Sequence, residues 1–94
     1  MAQQVTRNDD AGRYELRVDD RLIGVAEFHA DGDLLVFPHT EIEASLRGKG
    51  FGAVLVRAAL DDVRSRDEDA KVVPSCWYVA DFIRDNPEYG DLVA

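Results

Sequence analysis

The feature that most constrains this chain is Arg47-Gly48-Lys49-Gly50-Phe51-Gly52, followed without a break by AVLVRAALDDVRSR. Apolar residues recur there at helical spacing: Phe51, Leu55, Ala59 and Val63 on one line, Val56 and Leu60 beside them. Arg57, Asp61, Asp62 and Arg64 fall mostly on the other side. The segment reads as a glycine-rich loop opening an amphipathic helix. A glycine costs about 1 kcal/mol against alanine in a helix interior. Glycines at a helix start therefore fit a place where something approaches the backbone closely. The first amides of a helix have no internal partner, and the helix dipole places partial positive charge there. With Arg47 and Lys49 nearby, they make a seat for phosphate.

The spacing narrows which phosphate. The string is neither G-x-x-x-x-G-K-[ST] nor G-x-G-x-x-G. It reads R-x-x-G-x-G, and so resembles the pyrophosphate loop of the GCN5-related N-acetyltransferases, the GNAT superfamily, which bind acetyl-coenzyme A (acetyl-CoA). The competing reading of these six residues is a strand-to-helix turn that binds nothing.

At 94 residues the chain is long enough for one core, so residues 1–94 are read as a single domain. No apolar run reaches the length of a membrane span, and MAQQVTRNDD has no apolar signal core. The lone Cys76 has no partner for an internal disulfide. These absences point to the cytoplasm. The net charge of −8 opposes binding to nucleic acid, which needs phosphate neutralisation. Against it the Arg47/Lys49 patch stands out. The acidic surround either draws a cationic acceptor or only keeps the protein soluble.

The first half reads as strands. Residues 3–8 form a weak candidate, and Asp9-Asp10-Ala11-Gly12 a turn. Tyr14, Leu16 and Val18 alternate with Glu15 and Arg17 as in a half-buried strand. Asp19-Asp20 reverses the chain. Arg21 to Ala30 gives a third strand, with Ile23 and Val25 on one face and Gly24, Ala26 and Phe28 on the other. After the turn Asp31-Gly32-Asp33, the apolar run Leu34-Leu35-Val36-Phe37 suits a central strand buried on both faces. Pro38 cannot donate to a ladder, so pairing must break or bulge there.

That break bears on binding. Where pairing stops on one side, backbone N–H and C=O groups are free, and an extended amide ligand can add as another strand. In GNAT proteins the strand before the pyrophosphate loop holds the pantetheine arm in this way. The resemblance implies the same for residues 39–42, with Thr40, Glu41 and Ile42 as binding residues beside Arg47, Gly48, Lys49, Gly50, Phe51 and Gly52. A micromolar ligand needs about 8 kcal/mol, and a helix dipole contributes roughly 0.3–2 kcal/mol. Loop amides, cations and strand pairing must therefore share the grip.

The loop helix should end near Ser65 to Asp67, with Asp67-Glu68-Asp69 a solvated turn. Lys71-Val72-Val73 then reads as a short strand stopped by Pro74, parallel to Leu34–Phe37 in a βαβ unit. Ser75 is a good N-cap for a second helix carrying Val79, Phe82 and Ile83 on one face. Asn86-Pro87 closes that helix, and a short tail follows.

H-T-E-I, R-G-K-G-F-G, V-V-P-S-C-W-Y-V and N-P-E-Y, in this order and at these distances, resemble a small GNAT-like family that keeps little beyond the coenzyme A half of the fold. The resemblance runs from about Tyr14 to Val93. It implies an α+β fold: a mostly antiparallel sheet of about five strands, a parallel βαβ with splayed strands, and a C-terminal helix. The two N-terminal helices that help cover the acceptor site in larger GNAT enzymes are missing.

The same resemblance implies an acetyl-CoA-binding N-acetyltransferase acting on an unidentified amine, small or a protein lysine. A cysteine at the place of Cys76 faces the thioester end in the small family, so Cys76 either accepts the acetyl group or lines the pocket; otherwise it is a small buried hydrophobe. Glu41 or His39 would serve as general base, since an ammonium must lose a proton before attack. Their alternatives are a surface carboxylate and a hydrogen-bonded strand-end histidine. Trp77, Tyr78 and Phe82 are either an aromatic wall or core; in some GNAT enzymes a tyrosine protonates the leaving thiolate, a role open to Tyr78, whose direction the sequence does not fix. One cysteine and two separated histidines do not resemble a zinc site, and no metal is expected. A monomer or weak dimer is expected. A coenzyme A sensor or carrier without catalysis, and a protein-interaction module without coenzyme A, are the alternatives.

Overall fold

The computed structural model describes residues 2–66 and 69–94. Asp67 and Glu68 of the expected acidic turn lie outside the described residues. Strands β1 (Gln3–Asn8), β2 (Arg13–Val18), β3 (Arg21–Asp31), β4 (Leu34–Ile42) and β5 (Lys71–Val73) form one sheet in sequence order. The first four run antiparallel and β5 lies parallel to β4. Helix α1 (Phe51–Arg66) makes the crossover, and α2 (Trp77–Asp85) leads into a 3-10 turn, Pro87–Leu92. The fold is the expected α+β arrangement with a parallel βαβ unit. No helix among the described residues is long and apolar enough to cross a membrane.

The core lies between the sheet and α1. Phe51, Leu55, Val56, Ala59, Leu60 and Val63 are all buried, as their spacing requires. They join Tyr14, Leu16, Ala26 and Phe37 in one cluster. Tyr14 ties the layers together, its hydroxyl donating to Asp62 of α1 at 2.7 Å. Burial pushes the Tyr14 phenol well above its ordinary pKa, and the bond to Asp62 adds to the rise.

Alternation turns Glu15 to the opposite face of the sheet. There it is buried beneath Arg13, Arg17 and Asn8, which donate to its carboxylate at 2.8, 3.0 and 3.3 Å. The bond from Arg13, chiefly, holds its pKa below the ordinary value.

Strand irregularities shift two expectations. Alternation groups Ile23 with Val25, yet Ile23 is 4% exposed and belongs to the core with Ala26. The β2–β3 register slips between Leu16 and Arg17, whose partners are Gly24 and Leu22, so Ile23 is the extra residue of a bulge. Ser75 is not the cap of α2. Cys76 takes that position, with extended backbone and no side-chain cap bond, and the helix begins at Trp77. The reason is that the Cys76 N–H still serves the sheet, donating to the Phe37 carbonyl at 2.8 Å.

Pro38 acts as expected. His39 lies opposite Glu27 and Val36 opposite His29, so Phe37 and Pro38 together face Phe28. This is a bulge in the middle of β4. Leu35 and Phe37 are buried, whereas Leu34 and Val36 are only partly so. The tail continues past its 3-10 turn to cover the free side of β5, where Val93 bridges Val72.

Candidate functional site

Beyond Pro38, β4 and β5 part. Their last pair is Val36–Val73, and β4 continues with β3 alone. The Glu43 N–H donates to the Ile23 carbonyl at 2.8 Å. Antiparallel ladders alternate, so the backbone of Glu41 also turns toward β3, while the N–H and C=O of Thr40 and Ile42 turn away from it. That edge forms one wall of a cleft of about 500 Å³. The volume is in the range of small-molecule sites.

The second wall is the start of α1. Gly48 and Gly50 have φ of 81° and 86°, in the left-handed region that other residues enter only with strain. The Val54 N–H makes the first helical bond, to the Gly50 carbonyl at 3.2 Å. The amides of Phe51, Gly52 and Ala53 therefore precede the helical ladder. No acidic side chain lies in this first turn to compete for them.

The third wall is the start of α2. Gly52 and Tyr78 meet there: a Cβ on Gly52 would stand 2.4 Å from the Tyr78 hydroxyl oxygen. Burial pushes the Tyr78 phenol pKa upward. Trp77 packs edge-on against Tyr78 with ring centroids 5.7 Å apart, yet remains 73% exposed. Of the aromatics on α2, only Phe82 is core.

Most of the binding residues expected from sequence converge here. Thr40, Glu41 and Ile42 line the strand side, and Arg47, Gly48, Gly50, Phe51 and Gly52 line the loop side. Arg47 also joins the two sides, its Nε donating to the Ile42 carbonyl at 3.0 Å. Lys49 is not among these lining residues and lines an adjoining cleft with Arg21 and Leu46. Glu41 and His39 share a face as expected, with Oε2 and Nε2 3.3 Å apart and both side chains exposed. Glu41 borders the cleft; His39 is outside its wall. Cys76, 7% exposed at the cap of α2, is also outside that wall.

Two features escape sequence reading. Leu46 adds an apolar side to the cleft; its place four residues after Ile42 and just before the glycine run is the available signal. The Thr40 hydroxyl oxygen is, among the described residues, a buried side-chain oxygen with no hydrogen-bond partner. Nothing local in the sequence marks it.

A family model described as GCN5-related N-acetyl-transferase matches residues 13–92. The chain belongs to the GCN5-related N-acetyltransferase family. Among relatives of this GNAT chain, protein NATD1 of Homo sapiens is 41% identical over 49 residues, which is 52% of this chain and 42% of that protein. NATD1 of Danio rerio is 39% identical over 49 residues, covering 43% of its length. The match thus spans less than half the length of these relatives. A solution structure of a GCN5-like protein from Staphylococcus aureus superposes with a TM-score of 0.72 at 16% identity, over 97% of this chain and 87% of that one. The ribosomal-protein-S18-alanine N-acetyltransferase of Escherichia coli gives 0.55 at 13% identity, over 64% and 39%. At these identities the likeness is one of fold.

Proposed function

We propose that this GNAT domain binds acetyl-CoA in the cleft and moves the acetyl group to the nitrogen of an amine, small or a protein lysine. The observation that carries the reading is the meeting, in one cleft, of the unpaired edge of β4 and the first amides of α1. The donor set fits the ligand's chemistry. The N–H and C=O of Thr40 and the N–H of Ile42 suit the amides of a pantetheine arm. The amides of Phe51, Gly52 and Ala53, with the Arg47 guanidinium, suit a diphosphate. When bound, acetyl-CoA supplies an activated acyl group.

The chain's own residues then have separable tasks. The edge of β4 orients the acyl end. Glu41 accepts the proton that an ammonium acceptor must lose, and His39, 3.3 Å from its carboxylate, relays it to solvent. Tyr78, with its hydroxyl against Gly52, borders the diphosphate seat, and burial favours its protonated form. The acceptor attacks directly in this reading. The burial of Cys76 outside the cleft wall weighs against a covalent route through its sulfur.

Calorimetric titration with coenzyme A, together with an acetylation assay over a panel of amines, tests the proposal. Micromolar binding is expected, with turnover retained in Cys76→Ala and reduced about 100-fold in Glu41→Gln. Binding without transfer to any amine would make the domain a sensor or carrier. No affinity for coenzyme A would reduce the glycine loop to a packing element.

A further inference from the structure

A second groove, of about 330 Å³, runs between α1 and α2. Its walls include Ala53 and Arg57 from α1 and Trp77, Tyr78, Asp81 and Asp85 from α2. It adjoins the main cleft, and Trp77 and Tyr78 line both. Ala53 follows Gly52 directly, so this groove borders the first amides of α1 on one side. Across the glycine loop lies another cleft, lined by Lys49 and Arg21.

The chemistry of the two differs. Trp77 is the only tryptophan in the chain, and it presents an indole 73% exposed. By contrast, the aromatic beside Lys49 is Phe51, 7% exposed and committed to the core. A flat π-face open to solvent is a platform for a nucleobase. The charges of the Trp77 groove are balanced. Arg84 pairs with Asp81 and Asp85 at 3.2 and 3.3 Å. Arg57 donates to the Tyr89 hydroxyl and to the side-chain Oδ1 of Asn86, and lies 3.6 Å from the Glu88 carboxylate. Such a groove suits a neutral ring rather than a phosphate, and its carboxylates offer acceptors for an exocyclic amine.

From this we infer that the Trp77 groove receives the adenine base of the coenzyme A nucleotide, stacked on the indole. The inference rests on the acetyl-CoA reading above. Trp77→Ala is a safe probe, because the side chain is mostly outside the core. The variant and the wild type are titrated with coenzyme A and with 4′-phosphopantetheine, which lacks the nucleotide. Trp77→Ala should lose about 10- to 100-fold in affinity for coenzyme A and less than about 2-fold for 4′-phosphopantetheine. Trp77→Phe should keep most of the affinity, and 3′,5′-ADP should quench the emission of the single indole. Equal losses for both ligands would assign Trp77 to the arm and overturn the inference. No loss in Trp77→Ala, with a loss in Lys49→Ala instead, would place the nucleotide across the loop and overturn it too. If the wild type bound neither ligand, the acetyl-CoA reading itself would fall, and this inference with it.

Discussion

Along strand β4, the residues before Pro38 and those after it meet different neighbours. Leu34 to Val36 pair with β3 on one side and β5 on the other, and Phe37, 1% exposed, sits in the core. Residues 39–42 pair with β3 alone and turn the backbone of Thr40 and Ile42 to a cleft. The first half commits its hydrogen bonds to the fold; the second leaves the Thr40 backbone groups and the Ile42 N–H facing the cleft. Backbone groups facing a solvent-filled cleft are satisfied by water, so the second half pays no burial penalty. One proline, unable to donate, marks the division.

Substitutions on either side should separate stability from binding. The largest effect is expected in the closed half. Phe37→Ala should cost about 3–5 kcal/mol in urea unfolding, while coenzyme A affinity per folded molecule stays within about twofold. A parallel fall in affinity would break the division. Next comes the loop facing the open half. Gly50→Val forces a β-branched residue to φ 86°. It should weaken coenzyme A binding about 100-fold by calorimetry, with roughly 1–2 kcal/mol of backbone strain.

A smaller effect tests the wall itself. Gly52→Ala should cost about 1–3 kcal/mol because its Cβ meets the Tyr78 hydroxyl. In a Tyr78→Ala background the cost should fall below about 0.5 kcal/mol. Equal costs in both backgrounds would mean that Tyr78 is not the reason for glycine. Thr40→Val removes a buried hydroxyl without a partner and should raise stability by roughly 1 kcal/mol in thermal unfolding. A loss would show that the hydroxyl is satisfied in solution.

The smallest effects are those of pH, and they belong to the part of the sheet remote from the cleft. Glu15 has a lowered pKa in the fold, so its contribution is present above the ordinary value of 4.5 and is lost as pH falls through the folded value. Glu15→Gln should flatten the acid limb of a stability–pH curve. Tyr14 has a raised pKa, so its contribution is complete below the ordinary value of 10.0 and declines as pH climbs above it. Tyr14→Phe should flatten the alkaline limb.

Much of this was legible in the chain. The spacing of Phe51, Leu55, Ala59 and Val63 specifies α1 and its buried face, because a period of 3.6 has no other use for those residues. Pro38 announces the bulge for a purely local reason. What escaped depends on neighbours distant in sequence. The bulge at Ile23 is a matter of register between two strands. Cys76 replaces Ser75 as cap because its N–H finds Phe37 in another strand. Gly52 looks like a phosphate glycine, and its steric partner proves to be Tyr78. Lys49 belongs to the glycine run in sequence, but between the left-handed Gly48 and Gly50 it lines another cleft.

In the proposed complex one ligand engages both the unpaired edge of β4 and the start of α1. An amide-resolved NMR titration with coenzyme A tests it most directly. The predicted result is perturbation of the Thr40 and Ile42 amides together with those of Gly50 to Ala53, with Leu35 and Val36 unmoved. Saturable binding that left Thr40 and Ile42 unperturbed, or no perturbation at the glycine loop, would contradict it.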